Sequence, residues 1–168
     1  MISVTALSPL SQAEGPSDDQ IKATYLYHFT KFVEWPTSSF TLENSPLQLC
    51  VMEPDTFGPF LETTLKGKSS GTHSLIIKRH PSTKEIRQCH MLFLSKQQAS
   101  LWSTLRASLA HTTVLTVGEH GDFLKEGGMI QFYRDGQKIR FAINPQTIKQ
   151  TQLRVSAKLW RLAKIVNP

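Results

Sequence analysis

Apolar residues recur at helical spacing near the start of the chain, where Ile21, Tyr25, Phe29, Phe32 and Val33 form one stripe. Ser17 precedes this run and Gln20 follows it by three residues, the signature of a capping box. Pro36 then stops the helix after Phe32-Val33-Glu34-Trp35. Phe32, Trp35 and Phe40 are expected to pack as core rather than to stack on a ligand.

From Leu47 the pattern becomes short apolar runs alternating with amphipathic ones. The runs Leu47–Met52, His73–Arg79, His90–Ser95 and Thr113–Val117 read as four buried strands. The segment 56–67 reads as a short helix, broken at its start by Pro59 and ended by Gly67. A longer helix opens at Ser95, with Leu101, Leu105 and Leu109 along one face. Gly127–Tyr133 and Lys138–Ile143 are two more strands, joined across Asp135-Gly136, a strong hairpin signal. Val155, Leu159, Leu162 and Val166 stripe a final helix. Short strands alternating with helices predict an α/β sandwich with a mostly parallel sheet, to which the C-terminal hairpin adds an antiparallel edge.

The 168 residues suit one domain, expected over 17–168. Residues 1–16 fit no element of it. Ser11-Gln12-Ala13 has the small-x-small spacing of a signal-peptidase site, but a basic n-region and a long apolar core are both missing. This leader reads as disordered chain or as the remnant of a secretory signal. No apolar run reaches the roughly 18 residues of a membrane-spanning helix.

Charge changes the picture at one end. The net charge is +6, and from Arg134 to Pro168 eight basic residues stand against Asp135 alone. Such an end attracts nucleic acid, anionic lipid or an acidic protein, or is only a solvated face.

The candidate chemistry is thin. Lys66-Gly67-Lys68-Ser69 resembles the end of a phosphate loop, but Glu62 stands where that loop needs a glycine. The six histidines contain no pair at helical i, i+4 spacing. His120 with Glu119 and Asp122 comes nearest to a metal group, and a solvated histidine beside acids is the blander reading. Cys89 and His90 are adjacent, so a strand would turn them to opposite faces. No catalytic residue, metal or cofactor is expected. The loop Gly118–Gly128 is read as shaping a surface, with Gly118 and Gly121 letting the chain leave its strand sharply. Phe123 would plug the loop onto the core, and Gly127-Gly128 would supply positive φ.

The two cysteines lie one within the first strand of the alternating region and one at the start of the third. In a reducing compartment Cys50 and Cys89 would be buried thiols; in an oxidising one, neighbouring parallel strands would let them pair. The even count and the leader together favour export.

Several blocks resemble the YfiR-like family of periplasmic proteins. They are Ile21–Pro36, Pro46–Met52, Gln88–Ser95, Val114–Phe132, Lys138–Gln146 and Leu153–Val166, in the family's order. Phe-Val-Glu-Trp-Pro and Gly-Gly-Met-Ile are the most specific pieces. The resemblance implies a periplasmic location, a single-domain Rossmann-like sandwich and a tendency to form homodimers. It also implies a regulatory binding protein without catalysis, whose partner is the periplasmic part of an inner-membrane diguanylate cyclase. Repression of that cyclase lowers cyclic-di-GMP and biofilm. The other function weighed is a periplasmic small-molecule sensor acting on another membrane receptor, with its ligand at the strand C-termini. Cys50 and Cys89 fall on the family's disulfide positions. A second cysteine pair found in some members falls on Leu124 and Gln131, and Ala142 stands where the family often has Glu.

The partner is a protein rather than nucleic acid, without insertion into the membrane. Its docking face is expected around Arg140, Ile148, Arg154, Lys158 and Arg161. Arg154, Lys158 and Arg161 would share one helix face, and Ile148, in a polar segment, would be the apolar anchor.

Overall fold

The computed structural model describes residues 14–168, so nearly all of the expected leader lies outside the described residues. In chain order the elements are α1 (Asp18–Phe32), β1 (Val33–Glu34), β2 (Leu47–Val51), α2 (Phe60–Leu65), β3 (Ser69–Ser70) and β4 (His73–Arg79). There follow α3 (Thr83–Ile86), β5 (Met91–Leu94), α4 (Ala99–Leu109), β6 (Leu115–Gly118) and β7 (Ile130–Asp135). The chain finishes with β8 (Lys138–Ile143), α5 (Pro145–Lys149), β9 (Arg154–Val155), α6 (Ala157–Leu162) and β10 (Lys164–Ile165).

The main sheet runs β10-β8-β7-β6-β5-β2-β4-β3. Its centre is parallel from β4 through β2, β5 and β6 to β7. The β7–β8 hairpin is antiparallel and turns at Gly136, whose φ of 61° suits the first loop position of a II′ turn. This is the α/β sandwich that the alternating runs predict.

Strand alternation divides the core into two layers. Leu49, Val51, Phe93, Val117, Phe132, Phe141 and Ile143 face α1, α2 and α6. Cys50, Leu92, Leu94 and Ala142 face α3 and α4. Phe29 of α1 meets Phe141 edge-on at 5.1 Å and Phe132 at 5.9 Å, an aromatic seam under the first layer. The capping box at Ser17 forms, with Gln20 N–H donating to Ser17 Oγ and Ser17 N–H to Gln20 Oε1. Ala23 and Leu26 are buried beside Phe29, a wider stripe than the spacing implied, because α1 lies across both α2 and the sheet.

The C-terminus departs from expectation. Instead of one helix over Val155–Val166, α6 is six residues long and sits between two short strands. β9 pairs with β1, and β10 joins β8 in parallel. The hairpin is therefore not the sheet edge, because β10 lies outside it. Sheet pairing wins locally because β8 offers an open row of backbone partners to a stretch too short to be stable as an isolated helix.

Candidate functional site

The loop between β6 and β7 is built around one ring. Phe123 is wholly buried, and β-carbons on Gly118 or Gly128 would stand 2.7 Å and 2.3 Å from it. Those two glycines serve close approach and not positive φ, which is confined in this loop to Gly127, at 92°. Around the plug most polar groups are paired, but the ring neighbours of Phe123 leave two buried atoms without a partner among the described residues, Trp102 Nε1 and His120 Nδ1. Asn144, 4% exposed, donates from Nδ2 to Leu124 O at 3.1 Å and accepts from the N–H groups of Gln146 and Thr147. Met129 N–H donates to Thr116 Oγ1 at 3.1 Å.

The acidic residues that suggested a metal do not converge. Glu119 pairs with Lys22 at 2.5 Å, His120 with Glu126 at 3.0 Å, and Asp122 with Lys125 at 3.4 Å. Each bonds a different neighbour, which ties the loop to α1 and to itself.

At the carboxyl ends of β2 and β4, where α/β sheets usually bind ligands, an open hollow is walled by Pro54, Asp55, Glu62 and Arg79, and Arg79 pairs with both acids. The crossover direction reverses between β2 and β5. At that point Gln98 Nε2–H and Ser95 Oγ–H both donate to Pro54 O, at 3.1 and 3.4 Å, which ties the segment after β2 to the start of the α4 region. A different cavity, of about 340 Å³, lies at the other end of the sheet, where β6 and β7 begin. Its walls include Trp102, Arg106 and His111 from α4 and its exit, Gln150 from the turn after α5, and Glu126 from the loop. Trp102 is 2% exposed and its indole N–H has no hydrogen-bond partner.

The residues expected to dock a partner are dispersed. Ile148 is 3% exposed and belongs to the core under α1, so it is not a surface anchor. Its segment is helical, and one face of that helix buries it. Arg154 lies on β9, in register with Glu34, and not on the helix. Arg140 alternates with Ile139 and Phe141 along β8, so it stands on the opposite sheet face from α6, where it pairs with Asp135 at 2.9 Å. Only Lys158 and Arg161 share α6, both exposed. Lys158 lies over the Phe32 ring, at 5.1 Å from its centroid. Burial, and after it the Lys158 charge, push the His28 imidazole below its ordinary value.

On the other side of the first layer, His90 is 6% exposed. Its Nδ1 accepts from Gln48 N–H at 2.9 Å, so its Nε2–H donates to Ser39 O, also at 2.9 Å. Phe40 is stacked between His90 and His73, at 4.4 and 3.7 Å. Trp35 Nε1–H donates to His90 O at 2.9 Å. Trp35 and Phe40 are thus packing residues. Sequence reasoning weighed His90 only as a partner for Cys89 and missed its packing role, whose only signal was a polar residue opening an otherwise apolar strand.

Cys50 and Cys89 form a disulfide with Cα atoms 5.9 Å apart. The pairing follows from the parallel neighbours β2 and β5, since Cys50 is in register with Leu92 and Cys89 lies just before β5. Residues 19–164 match the sequence profile of the family described as YfiR/HmsC-like. The chain belongs to the YfiR/HmsC-like family. No curated protein matches the chain.

The YfiR/HmsC-like proteins are periplasmic regulators of diguanylate cyclase signalling and are regulatory rather than catalytic. The family implies interaction with a membrane diguanylate cyclase. In this member no helix among the described residues is long and apolar enough to cross a membrane. The positions that resemble the second cysteine pair, Leu124 and Gln131, are joined here by a hydrogen bond from Leu124 N–H to Gln131 Oε1 at 3.3 Å. Gln131 also donates to Gly121 O at 3.4 Å, so one amide side chain spans the loop. Ala142 is buried against the α4 layer, where a glutamate would need a partner.

Proposed function

We propose that this protein represses an inner-membrane diguanylate cyclase by binding the cyclase's periplasmic region, lowering cyclic-di-GMP and biofilm formation, and that it works in the periplasm as a homodimer without catalysis. The observation that carries this reading is the family match over residues 19–164. The cationic C-terminal end supports it, because Lys158 and Arg161 offer an exposed, positively charged helix face to an acidic partner. Deleting the gene is expected to raise cyclic-di-GMP and biofilm, and re-expression of the exported protein to restore both. An unchanged cyclic-di-GMP level in the deletion strain sinks the cyclase-repressor reading. Sedimentation of the purified protein tests the dimer.

One observation favours the second reading, a small-molecule sensor acting on another membrane receptor. The 340 Å³ cavity is walled by Trp102, Arg106 and His111. A small anionic ligand there would meet the Arg106 guanidinium and the Trp102 ring. Tryptophan fluorescence that shifts with a periplasmic extract, and a cyclic-di-GMP level independent of the gene, would favour this reading.

A further inference from the structure

The sheet ends on an edge that is open among the described residues. Among the described residues β10 has β8 as its one neighbour. Val166 N–H donates to Ile143 O at 3.0 Å. Backbone groups alternate in direction along a strand, so the N–H and C=O of Ile165 point outward from the sheet. Ile165 is in register with Ile143, whose side chain lies in the α1 and α6 layer, so Ile165 stands on that same face. There it is 45% exposed, and Leu162, the last residue of α6, is 61% exposed. Among the described residues both belong to the small set of exposed large hydrophobics, which also holds Leu42 and Ile76. Lys158, Arg161 and Lys164 flank them, and none of the three pairs with a carboxylate among the described residues. Lys164 is laid over the Tyr133 ring at 5.5 Å, on the other face of the strand, and does not cover Ile165.

We propose that the free edge of β10 receives an acidic, apolar segment of the membrane partner as an added β-strand, with Ile165 and Leu162 as its apolar contacts and Lys158 and Arg161 as its charge contacts. This rests on the partner-binding reading above. Three features select the occupant. The outward N–H and C=O of Ile165 call for a peptide backbone, the mode of recognition by strand addition. Leu162 and Ile165 call for apolar side chains on alternate positions of that peptide. The unpaired cations call for acids. A second copy of this chain would bring the same cations against one another, which costs free energy. A lipid surface would leave the outward backbone groups of Ile165 unsatisfied in hydrocarbon.

The test uses the full exported chain in cells. A photocrosslinking amino acid at position 162 or 165 is expected to trap an acidic segment of a membrane protein carrying a cyclase domain. Placed at exposed Ile76, it is expected to trap none. Crosslinks at 162 and 165 only to a second copy, to lipid, or to nothing overturn the proposal. The trapped membrane protein, purified at full length, is the probe for a second measurement. Ile165→Pro removes the outward N–H but leaves the Val166 bond to β8, whereas Ile165→Thr keeps both. Ile165→Pro is expected to bind roughly tenfold more weakly, and Ile165→Thr within about threefold of the parent. Equal binding by the two overturns edge pairing. Should Ile165→Pro lower the Tm markedly, Leu162→Glu, outside the ladder, carries the same test, and undiminished binding by it overturns the proposal. Failure of the repressor reading is separately visible as a cyclic-di-GMP level that does not respond to the gene. Failure of the docking edge is visible as Ile165→Pro and Leu162→Glu proteins that still repress.

Discussion

A β-carbon on Gly128 would stand 2.3 Å from the ring of Phe123. The loop between β6 and β7 closes because glycine there lets a phenylalanine lie flat against the backbone. Gly128→Ala is expected to destabilise the protein by about 1–3 kcal/mol, the usual range for overpacking. Phe123→Ala is expected to cost about 3–5 kcal/mol, since the ring is wholly buried. The two effects are coupled. In the Phe123→Ala background the cost of Gly128→Ala should largely vanish, which denaturant unfolding of the four proteins measures as an interaction energy.

The Cys50–Cys89 bridge spans a sequence separation of 39 residues. In the chain-entropy description a loop of that length contributes about 4 kcal/mol. Thiol titration of the unfolded, unreduced protein should find no free cysteine. Reduction, or the Cys50→Ala/Cys89→Ala pair, should lower the midpoint of unfolding. An unchanged midpoint on complete reduction would show that the bridge contributes nothing.

Acid should weaken the fold through His90. Burial is the main cause that pushes this imidazole below its ordinary value of 6.5, helped by the His73 charge and opposed by the Ser39 carbonyl. The unfolded chain therefore takes up the proton first. Stability is full above about 6.5 and falls as the pH drops below it, until the folded imidazole is protonated as well. A proton on Nδ1 would also meet the Gln48 N–H and break that bond. Thermal unfolding between pH 7.5 and 5 should show this decline, and His90→Asn should flatten it while lowering stability at pH 7.5.

Charge reversal on α6, Lys158→Glu with Arg161→Glu, should weaken binding to the membrane partner, with a larger loss at low salt. The Tm should change little, because both side chains are exposed and the Lys158–Phe32 contact is worth only about 0.5–1 kcal/mol. Arg140→Glu should have a smaller effect on binding, since Arg140 lies on the other sheet face and is already paired with Asp135. Equal losses for the two variants would move the docking face away from α6.

The order of the longer helices and strands through β8 was written in the sequence, whereas β1, β3 and α3 were not read from it. Apolar periodicity, Ser17 and Ser95 as caps, and the Asp135-Gly136 turn are local signals, and local signals survive in a linear string. Their alternation also placed Cys50 and Cys89 on strands able to neighbour one another. Tertiary structure decided the rest. Ile148 is buried because a one-turn helix happens to face the α1 layer, and no window of sequence contains that layer. Val155 and Ile165 are in strands because β1 and β8, far away in the chain, present backbone partners to them. Arg140 and Lys158 are parted by the sheet itself. Residue types announce how a segment packs against something, but the identity of that something is a long-range contact, and it is fixed only when the whole chain has folded.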